Sequence, residues 1–97
     1  MRTIYKYPVD IGQNMPIKMP KGAVVLDVQA QDGQPSAAVA WALVETNNEA
    51  VDFQFVTVGT GHQIPEFTGI NEHNYVGTFQ TSGGRFVWHV FGGEVQR

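Results

Sequence analysis

Hydrophobic residues in this chain recur at every second position, in runs separated by glycine-, proline- or asparagine-rich breaks. Successive side chains of a β-strand point to opposite faces, so period 2 marks a strand with one buried face. "VDFQFVTV" is the clearest case, with Val51, Phe53 and Phe55 set against Asp52 and Gln54. "AVVLDVQAQ" places Val24, Leu26, Val28 and Ala30 on one face and Asp27, Gln29 and Gln31 on the other. The alanines of "SAAVAWALVE" would suit a helix, but Val39, Trp41 and Leu43 alternate, and the flanking turns favour a strand paired with its predecessor. "TIYKYPV" alternates as well, with Pro8 confining it to an edge or a strand end. Asp32-Gly33 is a hairpin signal, "TNNEA" reads as a turn, and Ser82-Gly83-Gly84 joins "YVGTFQT" to "RFVWHVF". "NMPIKMPKGA" contributes two prolines and a Pro-Lys-Gly turn signal. The expectation is an all-β domain spanning residues 1–97. It is a small antiparallel sandwich or barrel of about six to seven strands, with no strong helix.

At 97 residues the chain can bury one core and not two. No apolar run approaches the roughly 20 residues that span a bilayer, and the N-terminal "MRTIYKYPVD" has no apolar core of a secretory signal. The sequence therefore predicts no membrane partner. Cysteine is absent, which removes disulfides, thiolate zinc sites and a cysteine nucleophile together and suits a reducing cytosol. A net charge of −3 argues against a partner that is a nucleic-acid polymer. Arg2, Lys6, Lys18 and Lys21 lie in the first 21 residues, whereas Gly22 to Gly84 holds seven acids and no Lys or Arg. An anionic ligand would have to use the N-terminal segment, Arg85 or neutral donors.

In the last run Phe86, Trp88 and Val90 share one face, and Arg85, Val87, His89 and Phe91 the other. A chain this small rarely covers both faces of a sheet, so a homo-oligomer is expected.

The three histidines, His62, His73 and His89, fit no short metal-ligand spacing, and no metal site is predicted. His89 reads as a hydrogen-bonded interior or interface histidine. Ser36 and Ser82 sit in turns rather than in a nucleophile elbow, and Glu66 and Glu72 share a long loop that does not fix their separation. No catalytic residue, enzyme activity or cofactor is expected. What stands out is "GTGH": Gly59, Thr60, Gly61 and His62, placed where a strand ends and a sixteen-residue excursion without periodicity begins. Glycine amides can form a concave nest for anionic oxygens, and Thr60 and His62 add a hydroxyl and an imidazole. A glycine-bracketed turn with a capping threonine explains the same residues without a ligand. Tyr5, Trp41, Tyr75 and Trp88 offer flat faces on which a base could stack, although core packing is the ordinary role of a tryptophan.

Taken together, "TIYKY", "MPKGA", "VLDVQAQDGQP", "WALVE", "GTGHQIP", "YVGTFQ" and "FVWHVF" resemble a family of small proteins encoded by bacteriophages and prophages, over nearly the whole chain. Their size, source and all-β oligomeric character are similar to those of the phage anti-CBASS sponges. These are non-enzymatic oligomers that sequester the cyclic nucleotide signals of bacterial immunity. The resemblance implies a cyclic di- or trinucleotide ligand and action in the cytoplasm of the infected bacterial host. Gly59, Thr60, Gly61 and His62 would then hold phosphate or base edges, Lys6 or Arg85 would supply charge, and Tyr5 or Trp88 a stacking surface. The competing expectation is a phage accessory protein that inhibits a host protein by direct contact.

Overall fold

A computed structural model describes residues 1–10, 16–31, 34–64 and 74–95. Seven strands make up the fold: β1 (Arg2–Asp10), β2 (Pro16–Pro20), β3 (Val24–Gln31), β4 (Gln34–Glu45), β5 (Ala50–Gly59), β6 (Tyr75–Thr81) and β7 (Phe86–Glu94). They form two antiparallel sheets packed as a sandwich. One is three-stranded in the order β1-β4-β3, the other four-stranded in the order β2-β5-β7-β6. No helix is present among the described residues beyond a three-residue 3₁₀ turn, Ser82–Gly84, between β6 and β7. Of the all-β sandwich or barrel expected from the alternation, the sandwich is what forms.

Burial explains which alternation mattered. On β4 the residues facing the second sheet are Ala38, Ala40, Ala42 and Val44, all nearly inaccessible. The larger Val39, Trp41 and Leu43, whose spacing marked the strand, lie on the opposite, half-exposed face. Small side chains on β4 leave room for bulk from across the sandwich, namely Phe53 and Phe55 on β5, Met19 on β2 and Phe79 on β6. The Phe55 ring lies over Gly92, where a Cβ would stand 2.7 Å from ring carbons, so β7 has to thin at that point. Removing a ring such as Phe53 (2% exposed) would cost about 3–5 kcal/mol, because the cavity could not collapse fully.

One expectation changes. The strict alternation of β3 breaks at a bulge between Val25 and Asp27. Val24 and Leu26 consequently stand exposed while Val25 packs against the core with Val28 and Ala30. An extra residue in one strand shifts the face pattern by one, which a simple period-2 reading cannot anticipate. "PIKMP", to which its prolines lent no strand signal, forms the edge strand β2, paired with β5 from Pro16↔Gln54 to Pro20↔Ala50, and the Pro-Lys-Gly turn follows it. Prolines are tolerated there because an edge strand need not donate every ladder bond. The Asp32-Gly33 turn itself lies outside the described residues, but β3 and β4 pair as it implied.

Candidate functional site

The Gly59-to-His62 stretch forms a tight turn where β5 ends. His62 N–H donates to the Gly59 carbonyl at 3.0 Å, and Thr60 N–H donates to the Val87 carbonyl of β7 at 3.2 Å. Gly61, third in that turn, has φ +86°, a conformation that L side chains rarely adopt and that this turn type requires. The His62 ring folds back over Gly59, where a Cβ would stand 2.7 Å from Nδ1. Two amides of the segment are thus engaged within the fold, so its chemistry rests more on side chains than on an open nest.

The Thr60 side chain leads to a larger cluster. Its Oγ1 lies 2.6 Å from His89 Nε2, and on the other side of the ring His89 Nδ1 lies 3.1 Å from Thr78 Oγ1. Thr78 Oγ1 in turn bonds the Tyr75 hydroxyl. A neutral imidazole donates from one nitrogen and accepts at the other, and hydroxyls rotate to match either tautomer. Thr60, His89, Thr78 and Tyr75 therefore form one continuous chain of groups that can each donate or accept. Strand register builds it: His89 is flanked by Val58 on β5 and Thr78 on β6. All lie on the face of the four-stranded sheet turned away from the core. Beside the chain, the Tyr75 and Phe91 rings meet edge to face with centroids 5.4 Å apart. Tyr75 is 49% exposed.

His89 is half-buried and hydrogen-bonded, as expected. Trp88 alternates with it and faces inward, where its Nε1–H donates to Thr81 Oγ1 at 3.0 Å. Its indole is packed against the core rather than presented beside Thr60. Arg85 is exposed, just ahead of β7 on the same end of the sheet as the turn. Tyr5 and Lys6 belong to β1, in the other sheet, and alternate there: Tyr5 shares the inward face with Ala42 and packs edge-on to Tyr7, while Lys6 is outward opposite Trp41. The structure thus groups Gly59, Thr60, Gly61 and His62, adds His89, Thr78 and Tyr75, and leaves Tyr5 and Lys6 apart from them.

Thr78 and Tyr75 carried no motif, yet their position was countable. From the Ser82–Gly84 turn the pairs run Thr81↔Phe86, Gln80↔Val87, Phe79↔Trp88 and Thr78↔His89. Tyr75 sits one bulge further on. Among the described residues no group of His, Asp or Glu could hold a metal ion, and His73, Glu66 and Glu72 lie outside them.

The chain belongs to the family described as Domain of unknown function (DUF7352), whose model matches residues 1–97. A comparison with curated proteins and with solved structures finds no match. In this DUF7352 chain a cleft of about 360 Å³ lies between the starts of β3 and β6 and the end of β7. Phe53, Tyr75, Gly92 and Glu94 are among its walls, so Tyr75 is shared between the cleft and the hydroxyl–imidazole chain. The cleft's volume is at the lower end of what small-ligand sites enclose. A second hollow, of about 520 Å³, lies along Lys18, Lys21 and Asp52, but its cations are engaged: Lys18 Nζ sits 2.9 Å from Asp52, and Lys21 Nζ 4.0 Å from Glu49.

Proposed function

We propose that this DUF7352 protein is a non-enzymatic binder that sequesters a nucleotide-like ligand. The resemblance to phage proteins makes a cyclic oligonucleotide immune signal the preferred class, acting in the cytoplasm of an infected bacterium. The observation that carries the reading is the Thr60–His89–Thr78–Tyr75 chain beside an exposed aromatic ring. Neutral hydroxyls and an imidazole can each give or take a hydrogen bond, which suits base edges and phosphate oxygens alike. Tyr75 adds a flat surface against which a base can stack. The Thr60 and Thr78 hydroxyls bracket the two ring nitrogens of His89, so each can turn from the ring to a ligand oxygen or base edge. A rigid sheet as scaffold keeps the ordering cost of binding low.

The test is a thermal-shift panel of cyclic di- and trinucleotides with linear mononucleotides as controls, run on the wild type, Thr60→Ala, His62→Ala and Thr78→Val. A ligand at about 1,000 times its dissociation constant adds roughly 4 kcal/mol of stability, a shift of many degrees for a domain of this size. The proposal expects such a shift for cyclic species, reduced in Thr60→Ala and Thr78→Val. Flat melting curves across the whole panel would refute it. Undiminished shifts in the variants would move the site elsewhere.

A further inference from the structure

The outer face of the three-stranded sheet has a different character. Three of the large apolar side chains that stand exposed lie on it together: Ile4 at 55%, Val24 at 54% and Leu26 at 48%. Register aligns the face into rows across β1, β4 and β3. One row is Ile4–Leu43–Val24, the next Lys6–Trp41–Asp27, and the third Pro8–Val39–Gln29. At the bulge Leu26 and Asp27 together oppose Trp41. A half-buried tryptophan thus sits at the centre of an apolar patch, with a cation at one lateral edge and an anion at the other.

That layout is complementary to itself. We propose that this face is a twofold interface with a second copy of the chain, the axis running parallel to β4 and passing Trp41. Such an axis lays β1 of one copy over β3 of its partner while keeping each row in step. Ile4 then meets the partner's Val24, Leu43 meets the partner's Leu43, and Lys6 meets the partner's Asp27, with the same pair repeated on the far side. Isologous contacts of this kind are what a closed dimer requires. Aligned sheets pack face to face about 10 Å apart, a gap that a lysine side chain bridges. Among the described residues Lys6 is in no ion pair. Asp27 is held at its edge by the Val28 N–H at 2.8 Å and by Gln29 Nε2, and leans toward β6, its Oδ1 3.9 Å from where a Cβ on Gly77 would stand. A carboxylate has acceptor sites to spare beyond these.

Face-to-face packing also fits better than strand addition at the free edge of β1. Pro8 lacks an N–H and Lys6 adds charge there, two features that blunt edge pairing. The apolar surface that first suggested an oligomer, on β7, is less available. β7 is interior to its sheet, its residues from Val87 on are half-buried or buried, and on its outward side lie Val56 (1% exposed) and Val58 (7%) of β5. The second copy therefore belongs on the other sheet.

Sedimentation equilibrium of the full chain tests this, with circular dichroism to confirm that each variant is folded. The wild type is expected to be a dimer at micromolar concentration. Lys6→Asp and Asp27→Lys should each raise the dimer dissociation constant about tenfold or more, and the combination should restore it, since each swap alone opposes like charges twice. Ile4→Arg, at an exposed site that leaves Asp27 untouched, should also dissociate the dimer. A wild type that stays monomeric at hundreds of micromolar overturns the proposal. So does association that ignores Lys6→Asp and Ile4→Arg.

Discussion

On the outward side of the four-stranded sheet, the polar groups are bonded to one another and the valines between them are hidden: Thr60, His89, Thr78 and Tyr75 form a chain, and Val56 and Val58 are buried. On the outward side of the three-stranded sheet the opposite holds, with Ile4, Val24 and Leu26 in the open and Lys6 and Asp27 at the two edges. Both faces alternate with the same core, so the difference cannot come from the packing of the sandwich. It matches the different occupants proposed for the two sides. A face rich in groups that donate and accept is fitted to a small polar ligand, and an apolar face with opposite charges at its edges is fitted to another protein surface.

The largest effect should come from placing the same charge on the two faces. Val56→Asp is expected to destabilise the fold by about 3 kcal/mol or more, because the carboxylate would be buried without a partner. Ile4→Asp should change monomer stability by less than about 0.5 kcal/mol. Urea unfolding at protein concentrations low enough to exclude association compares them directly. Equal costs would mean that the two outward faces are alike, and the comparison would fail.

That contrast was only partly legible in the sequence. Strand class, the β4 strand despite its alanines, and the Ser82–Gly84 hairpin followed from alternation and turn chemistry. The faces did not. Val39, Trp41 and Leu43 supplied the alternation that marked the strand, yet the small alanines between them fill the interior, since the rings of Phe53 and Phe55 arrive from the other sheet. The bulge at Leu26 displaced the β3 pattern with no glycine or proline to mark it. At the candidate site the turn residues Gly59 to His62 announced themselves through composition. Thr78 did not, because an isolated hydroxyl on a strand carries no signal until its cross-strand neighbour is known, and Tyr75 stood out only for its flat ring. Lys6 and Tyr5 were grouped with the turn on charge and ring type alone, and β1 pairs in the other sheet.

An intermediate effect is expected at the polar chain. Thr78→Val removes the hydroxyl between Tyr75 and His89 Nδ1 and should cost about 1 kcal/mol, the usual worth of such a bond. Thr60→Val should cost a similar amount, and because both act through one ring the double variant should depart from additivity by at least about 0.5 kcal/mol. Strict additivity would show that the hydroxyls do not communicate through His89.

The smallest effect belongs to the rim of the apolar face. The Glu45 carboxyl is held below its ordinary pKa, first by the hydrogen bond from the Met1 amine and then by the Asn47 N–H. A carboxylate whose folded pKa is lowered stabilises the fold above its unfolded pKa and loses that contribution as pH falls through the folded value. Glu45→Gln should therefore leave stability near neutrality slightly reduced and flatten its decline in acid. Unchanged acid curves would mean that the amine contact is not kept in solution.

Nitrogen-15 NMR of the three histidine rings, recorded while a cyclic oligonucleotide is titrated into the wild type, tests whether the polar chain holds the ligand. The His89 ring resonances, assigned by His89→Gln, should move saturably as Thr60 and Thr78 re-orient toward the ligand. Binding that leaves His89 unmoved, or no binding by any cyclic species, would contradict it.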